Sequence, residues 1–108
     1  MKFGNRIIDL AQGDLDDILE YMAREFSIET ASKFVDAFEE RLDTISNFPK
    51  AFPIYTYDER FRRIVIGKYL MFYIVDEENN LNNIIRIIHP SRDIKEELRT
   101  SLGPSRFG

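Results

Sequence analysis

The spacing of apolar residues changes in the middle of the chain, near Pro49 and Pro53. Before these prolines, apolar residues recur every three or four positions, which is the period of an amphipathic α-helix. After them come short runs rich in β-branched and aromatic residues, separated by turn residues, which is typical of strands. A chain with this arrangement is predicted to fold as an α+β domain in which helices pack on a sheet.

Two helices are predicted in the first half of the chain. Asp9 followed by Gln12 has the spacing of a capping box at the start of the first helix, and Ser27 is suited to cap the second. Because few residues separate the helices, we expect an antiparallel hairpin with one shared apolar seam. The apolar stripes are Ala11, Leu15, Ile18, Leu19, Met22 and Phe26 in the first helix, and Ala31, Phe34, Val35, Phe38, Leu42 and Ile45 in the second.

Three strands are predicted after the helices, over Phe61–Ile66, Tyr69–Val75 and Asn83–His89, and a short strand over residues 2–8 precedes them. The three later strands are close in sequence, which favours an antiparallel meander. The run 69–75 is apolar on both faces, so we expect it in the middle of the sheet or beneath the helices. The predicted order is β-α-α-β-β-β, in two layers with a mainly antiparallel sheet.

The 108 residues fit one domain, which we place at residues 1–102, with an optional final helix over 94–102. Residues 103–108 are expected to form a flexible tail. The chain has no cysteine, which excludes disulfides and a cysteine nucleophile. No apolar run approaches the roughly 20 residues of a membrane span, and no signal sequence is recognisable, so we expect a cytoplasmic protein that does not bind membranes. The single histidine has no neighbouring cluster of ligands, so neither a metal nor another cofactor is expected.

Charge is distributed unevenly along the chain. Residues 9–43 contain eleven acids and three bases, whereas residues 60–75 contain four bases and no acid. The formal net charge of −4 argues against binding nucleic acid through the whole surface. Two solvated faces of opposite charge would explain this pattern as well as a dedicated binding surface would.

Two sequence patterns resemble the RelE/ParE superfamily of bacterial toxins, also known as plasmid-stabilisation proteins. The pattern A-x-x-D-L-x-x-I-x-x-Y of the first helix is present as Ala11, Asp14-Leu15, Ile18 and Tyr21. A later signature of the ParE branch, R-x-x-x-G-x-Y-x-x-x-Y followed by H-x-x-R-D, is similar to Arg63, Gly67, Tyr69 and Tyr73, followed by His89, Arg92 and Asp93. The resemblance covers roughly residues 3 to 95 and implies the toxin of a type II toxin–antitoxin system.

The RelE branch implies one mechanism, the cleavage of ribosome-bound messenger RNA. Attack by a 2′-oxygen needs a proton acceptor, a cation for the phosphorane and an acid for the leaving oxygen. His89 is the candidate acid or base, and the candidate cations are Arg62, Arg86 and Arg92. RelE-type nucleases carry an arginine and a tyrosine where this chain has Leu70 and Leu98, which removes most of that machinery.

The ParE branch implies a different mechanism, inhibition of DNA gyrase by protein–protein contact, and we expect the chain to follow it. The enzyme class therefore stays open between a non-enzymatic toxin and an endoribonuclease, and a non-toxic interaction module is a further alternative. A cognate antitoxin is the expected partner, within a homodimer or a toxin–antitoxin hetero-oligomer. The candidate residues for binding the target or the antitoxin are Arg60, Arg62, Arg63, Lys68, Arg86, His89 and Arg92.

Simpler structural roles are also predicted for several of these residues. His89 can pair with Asp93, and Asp93 can instead cap the final helix. Arg86, between isoleucines, can be an edge charge that discourages strand pairing. Arg62 and Arg63 are expected on opposite faces of their strand because side chains alternate.

Overall fold

The computed structural model describes residues 2–102, so the tail expected over residues 103–108 lies outside the described part of the chain. The elements in chain order are β1 (Gly4–Ile7), α1 (Asp9–Glu25), α2 (Ile28–Asn47), β2 (Arg62–Ile66), β3 (Tyr69–Asp76), β4 (Leu81–Ile88) and α3 (Ile94–Leu102). The α+β class and the predicted order are confirmed, including the final helix. Within residues 2–102, no helix is long and apolar enough to cross a membrane.

The four strands form one mixed sheet in the order β1-β4-β3-β2. The meander is confirmed, because β2 pairs antiparallel with β3, and β3 pairs antiparallel with β4. The strand β1 adds to the other side of β4 in parallel. The doubly apolar strand β3 therefore lies inside the sheet, as its sequence predicts.

The helical hairpin covers one face of the sheet and encloses the main core. Both apolar stripes face inward except at Phe26, which lies beyond α1 and is exposed, and alternate residues of the strands meet them. This arrangement follows directly from the two hydrophobic periods in the sequence. The buried members of this core are Ala11, Leu15, Ile18, Phe34, Phe38, Ile45, Ile64, Ile66, Met71, Tyr73, Ile84 and Ile87.

A second, smaller core lies on the opposite face of the sheet. Helix α3 and the loop before β2 cover it, and Leu70 and Ile94 pack at its border. The register of β4 shifts between the partners of Phe72 and Tyr73, so that residues three apart share a face: Ile84 and Ile87 lie in the main core, and Ile85 and Ile88 lie in the second core. The buried members of the second core are Tyr55, Phe61, Phe72, Ile85, Ile88 and Leu98.

The two predicted helix starts have different outcomes. Ser27 caps α2 as expected, since its Oγ accepts from the Thr30 backbone N–H at 3.0 Å. The predicted capping box is wrong: the residue before α1 is Ile8, which offers no side-chain cap, and the Gln12 amide donates to Asp16 instead. The helix starts early because the Ile8 N–H still bonds to the sheet, at Ile84 O, before the chain turns into α1.

Candidate binding surfaces

Arg86 lies at the centre of a charged network that joins α1, β4 and α3. Its Nε and Nη2 donate to the two carboxylate oxygens of Asp14, at 2.7 and 3.0 Å. Its Nη1 donates to Glu97 at 2.9 Å and to the Ser101 hydroxyl at 3.2 Å. Arg92 donates to the other oxygen of Glu97 at 2.5 Å. Arg86 and Arg92 are thus close together, but both guanidinium groups are engaged by carboxylates.

The interpretation of Arg86 as an edge charge is wrong. Strand β4 is internal, and the Arg86 side chain is only 13% exposed. Pairing with β1 stops at Ile84, and beyond it Asp14 accepts from the backbone N–H of Ile87 at 2.9 Å. Asp14 therefore replaces a strand neighbour, and Arg86 neutralises this carboxylate. The hydrogen bonds to Asp14 raise the pKa of Arg86 further, so its charge is permanent.

Glu97 is the anionic group that holds α3 in this network. Hydrogen bonds from Arg92 and from Arg86 lower the pKa of the Glu97 carboxyl below its usual range. Such charge-assisted bonds are stronger than bonds between neutral groups. The C-terminal helix is therefore fixed by ion pairs on one side and by the buried Leu98 on the other.

His89 lies just beyond β4 with one ring nitrogen occupied. Its Nδ1 accepts from the Ser91 backbone N–H at 3.1 Å and lies 2.8 Å from the Ser91 hydroxyl. The predicted pairing with Asp93 is wrong, because Asp93 accepts from the Glu96 backbone N–H and caps α3, as its alternative role predicts. A ring whose Nδ1 is an acceptor carries its proton on Nε2. The neutral His89 ring therefore presents its Nε2–H group as a hydrogen-bond donor.

The basic residues around β2 point in several directions. Arg62 shares the face of Ile64 in the main core, and Arg63 shares the face of Phe72, so their predicted opposite orientation is confirmed. Arg62 donates to the carbonyl oxygen of Phe52 at 2.7 Å and so supports the loop before β2. Arg63 is exposed.

Arg60 also has a local partner. It donates to both carboxylate oxygens of Asp58, and its Nη2 lies 2.6 Å from Oδ2. These bonds lower the pKa of Asp58 and raise that of Arg60. The pair orders the turn that leads into β2.

An apolar pocket opens where α1 ends, between the α1–α2 turn and the β2–β3 hairpin. Its volume is about 510 Å³, within the size range of ligand pockets. We call it the α1-end pocket. Lys68 and His89 are the two sequence-predicted residues that it brings together. Its lining residues are Tyr21, Met22, Phe26, Thr30, Gly67, Lys68, Tyr69 and His89.

Sequence reasoning missed several residues of these surfaces. Asp14 has a readable signal, because it lies three residues after Ala11 and four before Ile18, on the buried stripe of α1. Phe26 was assigned to the helical seam but lies after α1 and is 65% exposed. Glu97 has no local signal, since its role depends on contacts with β4.

The sequence-predicted nuclease residues make separate contacts in the described part of the chain. His89 and Lys68 share the α1-end pocket, Arg86 and Arg92 share Glu97, and Arg62 is held by a loop carbonyl. The positions matched to the arginine and tyrosine of the nucleases contain Leu70 and Leu98, which pack in the second core. Within residues 2–102, no group of three or more His, Cys, Asp or Glu side chains could hold a metal ion.

A helical hairpin on a β1-β4-β3-β2 sheet, with a helix behind it, is the architecture of the small toxins of the RelE/ParE superfamily. The chain matches the family model described as "ParE toxin of type II toxin-antitoxin system, parDE" over residues 6–94. It therefore belongs to the ParE toxin family of type II toxin–antitoxin systems. No curated protein matches it.

Two toxin–antitoxin systems are among the solved structures that share this fold. One is described as the chromosomal ParDE toxin–antitoxin system from P. aeruginosa; it is 17% identical with a TM-score of 0.68, over 82% of this chain and 96% of that chain. The other is the toxin–antitoxin complex RelBE2 from Mycobacterium tuberculosis; it is 18% identical with a TM-score of 0.57, over 82% of this chain and 99% of that chain.

Proposed function

We propose that this ParE-family toxin arrests bacterial growth by binding DNA gyrase, and that a cognate antitoxin neutralises it by covering its surface. The observation that carries the proposal is the match to the ParE toxin family over residues 6–94. The resemblance to the nuclease branch places an arginine and a tyrosine at the positions of Leu70 and Leu98, and in this chain both leucines pack in the second core. Leucine supplies neither a cation nor a proton, which supports an inhibitor that acts through a shaped surface.

The chemistry of His89 supports the same proposal. RNA cleavage by 2′-oxygen attack needs a group that accepts the proton from the hydroxyl. The Nδ1 of His89 accepts from the Ser91 backbone N–H, and no arginine among the sequence-predicted cations contacts the ring in the described part of the chain. The Nε2–H group of the neutral ring is suited to donate a hydrogen bond to a partner protein.

The proposed antitoxin fits both the family and the relatives. The two solved relatives are described as a toxin–antitoxin system and a toxin–antitoxin complex. In this chain, Arg63 on β2, Lys68 in the β2–β3 turn and Arg92 between β4 and α3 are exposed cations. Acidic residues of an antitoxin would complement these positions.

The experiment that tests the target is inducible expression in a bacterial host, with pulse labelling of DNA and protein synthesis in the first minutes. Gyrase inhibition predicts an early loss of DNA synthesis together with DNA-damage signalling, while protein synthesis continues. Co-expression of the neighbouring reading frame should restore growth if that frame encodes the antitoxin. An early loss of protein synthesis with cut messages would instead identify a ribosome-dependent endoribonuclease and contradict the proposal.

A further inference from the structure

The aromatic rings that line the α1-end pocket pack against one another. The rings of Tyr21 and Phe26 pack edge to face at 6.1 Å. Tyr69 packs in the same way against His89 at 5.4 Å and against Phe34 of the core at 5.7 Å. These contacts give the pocket an aromatic wall that suits an apolar side chain.

The turn between α1 and α2 projects beside this pocket. It carries Phe26 and Ile28, which are 65% and 79% exposed. The exposed acids Glu25 and Glu29 flank them in sequence. A single exposed apolar residue is ordinary, but neighbouring ones beside an apolar pocket mark an interaction surface. The turn therefore presents bulky apolar groups between two carboxylates.

The rim of the pocket is suited to receive such a segment. Lys68 is exposed and has no ion-pair partner within residues 2–102. The Nδ1 of His89 is occupied by Ser91, which leaves an Nε2–H group as a donor. Glu29 likewise has no ion-pair partner within the same residues. The ammonium of Lys68 and the carboxylate of Glu29 are therefore both available for contacts with another protein.

We propose that a second copy of this chain fills the α1-end pocket. Ile28 of each protomer enters the pocket of the other, and Glu29 lies against the partner's Lys68. Because the projection and the pocket adjoin each other, a twofold axis through this surface satisfies both at once, as an isologous interface requires. The proposal is independent of the toxin's cellular target.

The net charge of −4 on each copy does not prevent this pairing. At an ionic strength of about 0.15 M, charges separated by more than about 8 Å are largely screened. The contacts between Lys68 and Glu29 therefore decide the local balance, and they are attractive. The same reasoning predicts that a charge reversal at either residue weakens the pair.

Sedimentation velocity of the purified full chain over the micromolar range tests the proposal. We expect the mass to rise with concentration from that of the monomer to twice that value. Ile28→Ser should weaken the association by about tenfold or more, because it removes the central apolar anchor. Phe48→Ser is the matched control: Phe48 is also an exposed apolar residue but lies at the other end of α2, so this variant should associate like the wild type.

Exchanging the charges gives a second, independent measurement. Lys68→Glu and Glu29→Lys should each weaken self-association, and the double variant carrying both should recover it. A wild-type chain that stays monomeric throughout the range would overturn the proposal. So would a dimer that persists in Ile28→Ser, or one that ignores the charge exchange. If these variants lose antitoxin binding while the mass stays that of a monomer, the pocket belongs to the antitoxin and the second copy is the wrong occupant.

Discussion

The guanidinium of Arg86 lies between α1 and α3, and three of its hydrogen bonds end on the carboxylates of Asp14 and Glu97. Each member of this group depends on the others, because a charge removed from water needs an opposite charge and hydrogen bonds to be tolerated. The side chains of Asp14 and Glu97 are only 16% and 20% exposed. Their role is therefore structural: they join the N-terminal helix, the sheet and the C-terminal helix.

Replacing Arg86 by methionine should strongly destabilise the fold. The change leaves the carboxylate of Asp14 partly buried and removes one of the two cations at Glu97, so we expect the free energy of unfolding to fall by about 3 kcal/mol. Urea denaturation followed by circular dichroism measures this loss. Arg24→Met is the matched control, because Arg24 also bonds to acids, Glu20 and Glu25, but is 60% exposed. The control should cost less than about 1 kcal/mol, and equal losses in the two variants would contradict the buried-network interpretation.

Two glycines affect the stability of the helices and strands in different ways. Strands β2 and β3 are joined at Gly67, whose φ of +57° is in the left-handed region. A Cβ at this position would lie 3.8 Å from the ring of Phe34, which is ordinary contact. Gly13, in contrast, lies inside α1, and a Cβ there would meet nothing within 4 Å.

Alanine substitutions at these two glycines should therefore have opposite effects on stability. Gly67→Ala should lower the free energy of unfolding by about 1–2 kcal/mol, because an L-residue is strained at this φ. Gly13→Ala should raise it by about 0.5–1 kcal/mol, because alanine favours the helix and glycine does not. Thermal or urea unfolding of the two single variants measures whether each change raises or lowers the free energy of unfolding. A loss at Gly13 would show that the site has a role beyond helix propensity.

Hydrophobic periodicity was sufficient to predict the elements but not all of their contacts. The two helical stripes and the doubly apolar run 69–75 identify what is buried, because periodicity records which face of an element meets the core. The parallel pairing of β1 with β4 joins Gly4 to Leu81. No local sequence pattern predicts a contact between residues so far apart along the chain. The second core was missed for the same reason, since Leu98 and Tyr55 reach it from opposite directions along the chain.

The candidate site was harder to predict than the fold. The sequence shows where the cations are along the chain but not what they contact: Arg86 bonds to Asp14 of α1, and Arg62 bonds to a loop carbonyl oxygen. The α1-end pocket could be identified only from the structure, because Tyr21 and Tyr69 meet only when the helical hairpin packs on the sheet. An isolated charge is readable from sequence, whereas the group that neutralises it is a property of the fold.

At the scale of the whole molecule, the helical layer is acidic and several exposed cations lie outside it. The eleven acids of residues 9–43 lie on α1 and α2, whereas Arg63 lies on β2, Lys68 in the β2–β3 turn and Arg92 between β4 and α3. This distribution suits a domain that is held and covered by other proteins. It suits a polyanionic partner such as the ribosome less well, since affinity for phosphates depends on clustered positive charge.

The proposed growth arrest should therefore survive the loss of the single histidine. In His89→Gln, the side chain can still donate a hydrogen bond, but it has no group that transfers protons near neutral pH. We expect the induction level needed for growth arrest to stay within about threefold of the wild type, whereas a general acid or base would contribute about 10²–10⁴-fold to a chemical step. Lys33→Gln, an exposed change on α2, controls for altered expression, which immunoblotting of both variants checks. A loss of toxicity in His89→Gln at normal protein levels, together with the disappearance of cut messages, would assign His89 to catalysis and favour the nuclease.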